Sequence, residues 1–170
     1  MDLAILIITL ALTEFIANKR GPKTGQVKWA DLDTLLQTMA SQHAHKAISR
    51  SYVLIAKENP SSILGFLTLT SCEIRSDALP SQFVKKYPSK IPGAKIGRLA
   101  VSREKQQQGL GELLMLFAMN QVLIVHKTLG LTEMIVDAKN EQAQQYYKQY
   151  GFIPLPEAPL TLFLPIKSIL

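Results

Sequence analysis

The sequence predicts a mixed α/β fold, in which helices flank a central β-sheet. Three observations support this prediction. Two β-rich runs, residues 51–56 and 63–70, are separated by a polar segment with Pro60, which is typical of a hairpin. Between Ile96 and Lys127 the pattern changes from an apolar strand through a polar turn to a long helix. A further strand, helix and pair of short strands follow between Leu131 and Ile166.

Capping and turn residues set the boundaries of the later elements. The long helix has apolar residues at helical spacing and ends at Gly130. A strand over 131–138 precedes a short helix that Asn140 caps and Gly151 stops. Residues 152–153 and 160–166 are predicted to complete the sheet.

Composition indicates one domain over residues 1–170, because a chain of that length with 47% hydrophobic residues can bury a sizeable core. The one cysteine, Cys72, excludes an internal disulfide and a cysteine-based metal site. We therefore expect a reducing, cytoplasmic compartment, no bound metal, and a half-buried, unreactive Cys72.

The apolar segment Met1–Ile16 resembles neither a secretory signal nor a membrane span. Asp2 precedes the apolar run and Lys19 and Arg20 follow it, which reverses the charge order of a signal peptide. Glu14 interrupts the run before it reaches the twenty or so apolar residues that a span needs. The segment predicts a buried first strand or short buried segment; a membrane anchor is the alternative.

The middle of the chain is less regular. Residues 18–28 are predicted to form an exposed loop, and residues 29–50 a helix. The helix carries a His-x-His pair at 43 and 45, whose side chains point to different faces. The two histidines are therefore predicted to be surface residues rather than metal ligands. Gly65 indicates a bulge or a close backbone approach. Residues 71–93 contain prolines that make a strand unexpected, with one helical turn near 81–86.

The strand, turn and helix between Ile96 and Glu112 form a candidate phosphate site. The first turn of a helix leaves backbone N–H groups without partners and carries the positive end of the helix dipole. Gly109 and Gly111 have no Cβ, so a ligand can approach the main chain closely. A Rossmann site is excluded, because Leu114 stands where the third glycine of that motif would lie.

Gln106, Gly109 and Gly111 match the Gln/Arg-x-x-Gly-x-Gly/Ala signature of the GNAT family of N-acetyltransferases. A second block, Asn140 to Phe152, resembles the Asn-x-x-Ala-x-x-Phe-Tyr block of the same family, and the resemblance extends over residues 50–170. It implies a GNAT fold with a splay between two parallel strands, and acetyl-coenzyme A as co-substrate. The coenzyme-binding residues that it implies are Leu99, Val101, Gln106, Gln107, Gln108, Gly109, Leu110, Gly111, Glu112 and Asn140.

Tyr147 takes the position of the tyrosine that commonly protonates the coenzyme A thiolate in this family, and Tyr146 takes the phenylalanine position. A tyrosine with a pKa near 10 stays protonated at neutral pH and can donate. The alternative is that Tyr146, Tyr147 and Tyr150 only pack a C-terminal helix.

A general base is not evident, because the strand residues 98–101 carry no carboxylate. An α-amine, with a pKa of about 7.7 to 8.0, needs less help to lose its proton than a lysine with a pKa of about 10.4. We therefore expect an acceptor with a low amine pKa, or a base that acts through water, for which Asp137 and Glu73 are candidates.

The runs 96–101, 108–114, 136–139, 150–156 and 160–165 are similar to the acetyltransferase toxins of bacterial toxin-antitoxin pairs. That resemblance implies direct acetylation of the α-amine of aminoacyl-tRNA and restraint by a ribbon-helix-helix antitoxin. The branch usually has a Phe-Asp-Cys-Gly-like turn near its start, and this chain lacks one there. A homodimer is compatible with the apolar C-terminal region.

The net charge is +6, and cations concentrate in the stretch Lys85–Lys105. Seven lysines and arginines lie there with Glu104 as the one acid, namely Lys85, Lys86, Lys90, Lys95, Arg98, Arg103 and Lys105. The stretch suits coenzyme A or an RNA, or it is a solvated basic face. Two functional alternatives stay open: acetylation of a small amine or protein amine, and a non-catalytic acyl-coenzyme A-binding module.

Overall fold

The computed structural model describes residues 3–8, 49–56 and 59–169, and it confirms the predicted mixed α/β architecture. The strands are β1 Leu3–Ile8, β2 Ser49–Ala56, β3 Asn59–Arg75, β4 Lys90–Val101, β5 Glu133–Asp137, β6 Ile153–Pro154 and β7 Thr161–Pro165. The described helices are α1 Ser81–Val84, α2 Leu110–Leu129 and α3 Glu141–Lys148. Hydrogen bonds join the strands in the order β1-β2-β3-β4-β5-β7-β6.

The predicted first strand is present as β1, and the predicted hairpin strands are present as β2 and β3. β3 begins at Asn59, so most of the segment predicted to separate the two strands belongs to a strand. The expected loop over 18–28 and the two histidines lie outside the described residues. So does most of the helix predicted over 29–50. Its last two residues, Ser49 and Arg50, belong to β2, so that end of the prediction is wrong.

The expectation that residues 71–93 would not form a strand is also wrong at both ends. β3 continues to Arg75 and β4 begins at Lys90, although the helical turn is present as α1. The Pro92 carbonyl accepts hydrogen bonds from the backbone N–H of Thr132 at 3.0 Å and from its hydroxyl at 3.2 Å. A proline lacks only its donor, so its acceptor still bonds to a neighbouring segment and the extended conformation is kept.

Contacts divide the described chain into two compact units. The first comprises the described residues up to Thr68 together with Arg98–Leu114. In it, β1 pairs antiparallel with β2 from Leu3 opposite Ala56 to Ile8 opposite Ser51. A Cβ on Gly65 would lie 2.8 Å from the carbonyl oxygen of Ala100, which confirms the predicted close backbone approach.

The second unit comprises Leu69–Gly97 and the chain from Met115 onward. β4 and β5 are parallel in it, and their register runs from Gly93 opposite Glu133 to Ile96 opposite Val136. β4 itself continues to Val101, so the pairing stops where the predicted splay would begin. β7 pairs antiparallel with β5 and with β6. The core of this unit contains the buried residues Leu79, Ile91, Ile135, Leu155 and Phe163.

Helix α2 ends as predicted, because Gly130 adopts a φ of 69° that a residue with a Cβ rarely takes. It is the one described helix long and apolar enough to cross a membrane by length and composition. A core helix passes the same test, and Leu114, Met115, Ala118 and Val122 of α2 are buried in the protein. The prediction of one domain over 1–170 stays a prediction.

Candidate active site

The loop between β4 and α2 lies in the first unit and is built from local hydrogen bonds. After β4 the Ser102 N–H donates to the Leu64 carbonyl at 2.8 Å, which fixes the loop to β3. A single 3-10 turn, Arg103–Lys105, follows. The Gln106 side-chain amide donates back to the Val101 carbonyl at 3.3 Å, so the loop closes on the end of its own strand.

Two residues in left-handed conformations turn the chain into α2. Gln107 has a φ of 61° and Gly109 a φ of 77°. Glycine adopts this conformation freely, whereas a glutamine does so at a cost, so the backbone at Gln107 is strained. The sequence explains Gly109 but gives no sign of Gln107. Strained backbone of this kind is concentrated at ligand-binding and active sites.

The first turn of α2 offers backbone donors to solvent. The Leu113 N–H donates to the Gly109 carbonyl at 3.0 Å, which is the first bond of the helix. The preceding N–H groups, of Leu110, Gly111 and Glu112, have no carbonyl four residues earlier within the helix. Gln106, Gln107, Gln108, Gly109 and Glu112 are exposed, Gly111 is half-buried and Leu110 is buried. Together with Leu99 and Val101, half-buried at the end of β4, these are all the predicted coenzyme residues of this unit.

Asn140 and Tyr147 lie in the second unit, on and just before α3. The Asn140 side-chain oxygen accepts from the Ala143 N–H at 2.9 Å, so the predicted cap is present. Gln144, one turn further, donates from its buried side-chain amide to the Pro159 carbonyl at 2.6 Å. Both ends of the first helical turn are therefore held by polar contacts.

Tyr147 is 8% exposed and lies with its ring centroid 5.8 Å from that of Phe152 and 5.4 Å from that of Tyr146. Burial raises the pKa of the Tyr147 phenol, so it stays protonated at neutral pH. In the described part of the chain its hydroxyl has no hydrogen-bond partner. The Tyr150 hydroxyl donates to that of Tyr146 at 3.3 Å, so those two tyrosines satisfy each other instead.

The basic stretch Lys85–Lys105 is partly neutralised by acids from outside it. Lys90 forms an ion pair with Glu73 at 3.2 Å, and Lys95 forms one with Asp137 at 2.5 Å. Within the described residues the remaining five cations of the stretch form no ion pair, namely Lys85, Lys86, Arg98, Arg103 and Lys105. The first two belong to the second unit and the other three to the first.

Sequence reasoning did not anticipate Glu133. Glu133 is fully buried at the start of β5, and neither of its carboxylate oxygens has a hydrogen-bond partner among the described residues. Burial raises the pKa of Glu133, and the facing Tyr87 hydroxyl opposes that rise. The Tyr87 pKa is raised to about 12, first by burial and then by Glu133. The two groups influence each other electrostatically, without a formed hydrogen bond.

Cys72 is half-buried, as predicted. Burial raises the pKa of its thiol, Lys95 lowers it and Asp137 raises it, so Cys72 is a neutral thiol close to that ion pair. Among the described residues no group of three or more His, Cys, Asp or Glu side chains is arranged to hold a metal ion.

Known proteins resemble this chain over most of its length. It is 28% identical over 137 residues to a tRNA-acetylating toxin of Mycobacterium tuberculosis strain H37Rv, and the alignment covers 81% of each chain. A crystal structure of a tyrosine-to-phenylalanine mutant of KacT superposes with a TM-score of 0.83 at 31% identity, covering 99% of this chain and 98% of that one.

Two structures of AtaT are also similar. AtaT complexed with acetyl-methionyl-tRNAfMet has a TM-score of 0.80 and 34% identity, with 99% of this chain and 97% of that chain covered. A tyrosine-to-phenylalanine mutant of AtaT bound to the C-terminus of the antitoxin AtaR and acetyl-CoA has a TM-score of 0.71 and 31% identity, covering 99% and 96%. The model of the acetyltransferase (GNAT) domain matches residues 49–154, which contain both motif blocks. The chain therefore belongs to the GNAT family of acetyltransferases.

Proposed function

We propose that this protein transfers the acetyl group of acetyl-coenzyme A to the α-amine of the amino acid on a charged transfer RNA. The observation that carries the proposal is the turn into α2. Gly109, with a φ of 77°, opens a helix whose first N–H groups lie at an exposed loop. Such a turn binds a pyrophosphate through main-chain donors and the helix dipole.

In this proposal the coenzyme pyrophosphate lies against the backbone of Gln106–Glu112, and Arg103 adds a positive charge nearby in the chain. The main chain of Leu99 and Val101 holds the pantetheine arm, beyond the point where the β4 and β5 register ends. Asn140 is proposed to contact the coenzyme, and its side chain also caps the start of α3. Support comes from the GNAT match and from the AtaT structure that contains acetyl-CoA.

Tyr147 is proposed as the general acid. The amine nitrogen forms a bond to the acetyl carbon, the carbon–sulfur bond breaks, and the phenol gives its proton to the departing thiolate. The proton that the amine loses passes to water, from which the phenolate is protonated again. Burial keeps the Tyr147 phenol in the protonated form that this step requires. Structures of KacT and AtaT exist as tyrosine-to-phenylalanine mutants, which is compatible with a central tyrosine in these relatives.

The choice of acceptor is supported by charge and by the relatives. No carboxylate lies within residues 98–101, so an α-amine, which is partly neutral near pH 7, suits the site better than a lysine. Cations without ion-pair partners suit a polyanionic substrate. The similar toxin of Mycobacterium tuberculosis acetylates tRNA, and AtaT has been observed with acetyl-methionyl-tRNAfMet.

Several further properties are part of the same proposal. We place the enzyme in the cytoplasm, where charged tRNA is found, and we infer that an antitoxin binds it, as AtaR binds AtaT. A ribbon-helix-helix antitoxin and a homodimer stay predictions from the sequence. The main alternative function is acetylation of a small amine or protein amine, because the match to the GNAT domain supports that acceptor equally well.

The test is transfer of labelled acetyl from acetyl-coenzyme A to bulk charged tRNA, in parallel with polyamines, aminoglycosides and lysine peptides. Label in the RNA fraction that is lost when the aminoacyl ester is hydrolysed supports the proposal. Label on a small amine or peptide only would replace the acceptor while keeping the coenzyme loop and Tyr147. Tight coenzyme binding without transfer to any amine would leave a non-catalytic binding module.

A further inference from the structure

Asp137 is the last residue of β5, one residue after the parallel register with β4 ends at Ile96 and Val136. Ligands of open α/β sheets bind at the carboxyl ends of parallel strands, in the crevice where neighbouring strands part. Asp137 therefore lies just past the last β4–β5 pair, where β5 is still paired with β7. Its side chain is 54% exposed, so a ligand at this end of β5 can reach it.

Three strands fix the position of this carboxylate. Lys95 from β4 forms an ion pair with Oδ2 at 2.5 Å, and the Thr161 hydroxyl from β7 donates to Oδ1 at 3.0 Å. Asp137 and Thr161 are also opposite each other in the β5–β7 register. A carboxylate oxygen can accept more than one hydrogen bond, so each oxygen keeps capacity for a further donor.

The other candidate base from the sequence, Glu73, has a different location. It pairs with Lys90, the first residue of β4, whereas Lys95 is five residues further towards the carboxyl end. At about 3.3 Å per residue the two lysines are roughly 16 Å apart along the strand. Glu73 therefore lies far from the opening of the splay, and Asp137 is the candidate that the topology favours.

We propose that Asp137, held by Lys95 and Thr161, binds the acceptor amine and orients it for attack on the thioester. Both oxygens already accept from neighbouring groups, an arrangement that suits holding a donor in place rather than taking its proton. An α-ammonium is attracted by the carboxylate; after it loses a proton to water, the remaining N–H donates to Asp137 and the lone pair faces the acetyl carbon. This inference rests on the proposed acetyltransferase function.

The test is steady-state acetylation with charged tRNA as the varied substrate at saturating acetyl-coenzyme A. Losing a charge-assisted hydrogen bond costs about 1.5 to 3 kcal/mol, so Asp137→Asn should raise the acceptor KM roughly tenfold or more, with a smaller change in kcat. Coenzyme affinity, measured by calorimetry, should stay at the wild-type value. Glu73→Gln is the matched control, since it removes an ion-paired carboxylate at the other end of β4, and its kinetics should equal those of the wild type.

Lys95→Met separates substrate binding from a structural role. It removes the cation that holds Oδ2 but leaves the carboxylate and its hydrogen bond from Thr161, so the acceptor KM should rise less than in Asp137→Asn. Equal increases in KM for Lys95→Met and Asp137→Asn would show that the ion pair only supports the sheet, and would overturn the inference. A wild-type KM in Asp137→Asn would overturn it as well.

If Asp137→Asn does not fold, Thr161→Val serves in its place. It loosens the carboxylate without changing any charge, and we expect the acceptor KM to rise about threefold, or about 0.7 kcal/mol at 1.4 kcal/mol per tenfold. An unchanged KM in a folded Thr161→Val variant would then decide against the inference. A wild-type enzyme that acetylates no charged tRNA would instead refute the acceptor in the proposed function, and the same variants would be assayed with the amine that it does acetylate.

Discussion

The side-chain oxygen of Asn140 accepts a hydrogen bond from the backbone N–H of Ala143 at 2.9 Å, and this contact begins the helix that carries Tyr147. We expect Asn140→Ala to destabilise the protein by about 1 kcal/mol, because a first-turn donor loses its partner. Thermal unfolding measures this effect. Asn140→Asp keeps an acceptor oxygen at the cap and serves as the control. An Asn140→Ala protein as stable as the wild type would mean that the cap contributes nothing.

Replacing Tyr147 by phenylalanine should remove the proton donor and leave the ring packing on Phe152 intact. We expect turnover to fall by about 10²- to 10⁴-fold, the usual range for a lost general acid, while acetyl-coenzyme A binds with unchanged affinity. Stopped-flow turnover and calorimetric binding give the two values. Tyr150→Phe is the control, because its hydroxyl bonds to Tyr146 and has no proposed role in proton transfer. Unchanged turnover in Tyr147→Phe would remove that residue from the mechanism.

Two glycines at opposite ends of α2 make a matched pair. Gly109 and Gly130 have φ values of 77° and 69°, and a Cβ on either would meet no atom within 4 Å. Substitution by alanine therefore costs backbone strain, about 1 to 2 kcal/mol, rather than a clash. Both variants should lose similar stability by chemical denaturation. Only Gly109→Ala should also weaken coenzyme binding, and equal affinities in both variants would argue against the phosphate loop.

Gly111 tests close approach directly. A bulky residue there, as in Gly111→Val, should abolish coenzyme binding, since its side chain would stand beside the first-turn donors. Isothermal calorimetry with acetyl-coenzyme A measures the loss, and circular dichroism shows whether α2 is retained. Normal affinity in a folded Gly111→Val protein would refute the loop as the pyrophosphate site.

Glu133 should make stability depend on pH. Burial raises its pKa in the folded state above the value of about 4.3 that an unfolded chain has, so its contribution is fully present below that value. Stability is then lost as pH rises towards the folded pKa. We expect Glu133→Gln, which stays neutral, to show a flatter profile above about pH 4 in urea unfolding. Parallel profiles for the two proteins would mean that Glu133 does not titrate with folding.

Local residue chemistry predicted those features that depend on neighbours in the chain. Gly109, Gly130 and Gly151 adopt positive φ values at the predicted turns, and Asn140 caps the predicted helix. At Gly65 the sequence predicts a bulge or a close backbone approach, and the close approach is the one that the structure has.

Features that depend on partners from distant parts of the chain were not predictable in the same way. The lengths of β3 and β4 are set by pairing with neighbouring strands, which outweighs the local effect of Pro60 and Pro92. Glu133 is buried and influences Tyr87, a residue far away in the sequence that only the fold brings near it. The ion pairs of Lys90 and Lys95 likewise need the sheet to bring acids beside them.

Those two ion pairs bear on how the protein would respond to ionic strength. When a cation of the protein neutralises a phosphate, counterions are released, so nucleic-acid affinity declines more steeply with salt. For a duplex, each such contact adds about 0.9 to the slope of log affinity against log salt concentration. Lys90 and Lys95 already have anionic partners at 3.2 Å and 2.5 Å, so forming a phosphate contact would first require breaking a contact within the protein. The slope for tRNA would then reflect the five other cations of the stretch, and neutralising Lys90 would leave it nearly unchanged.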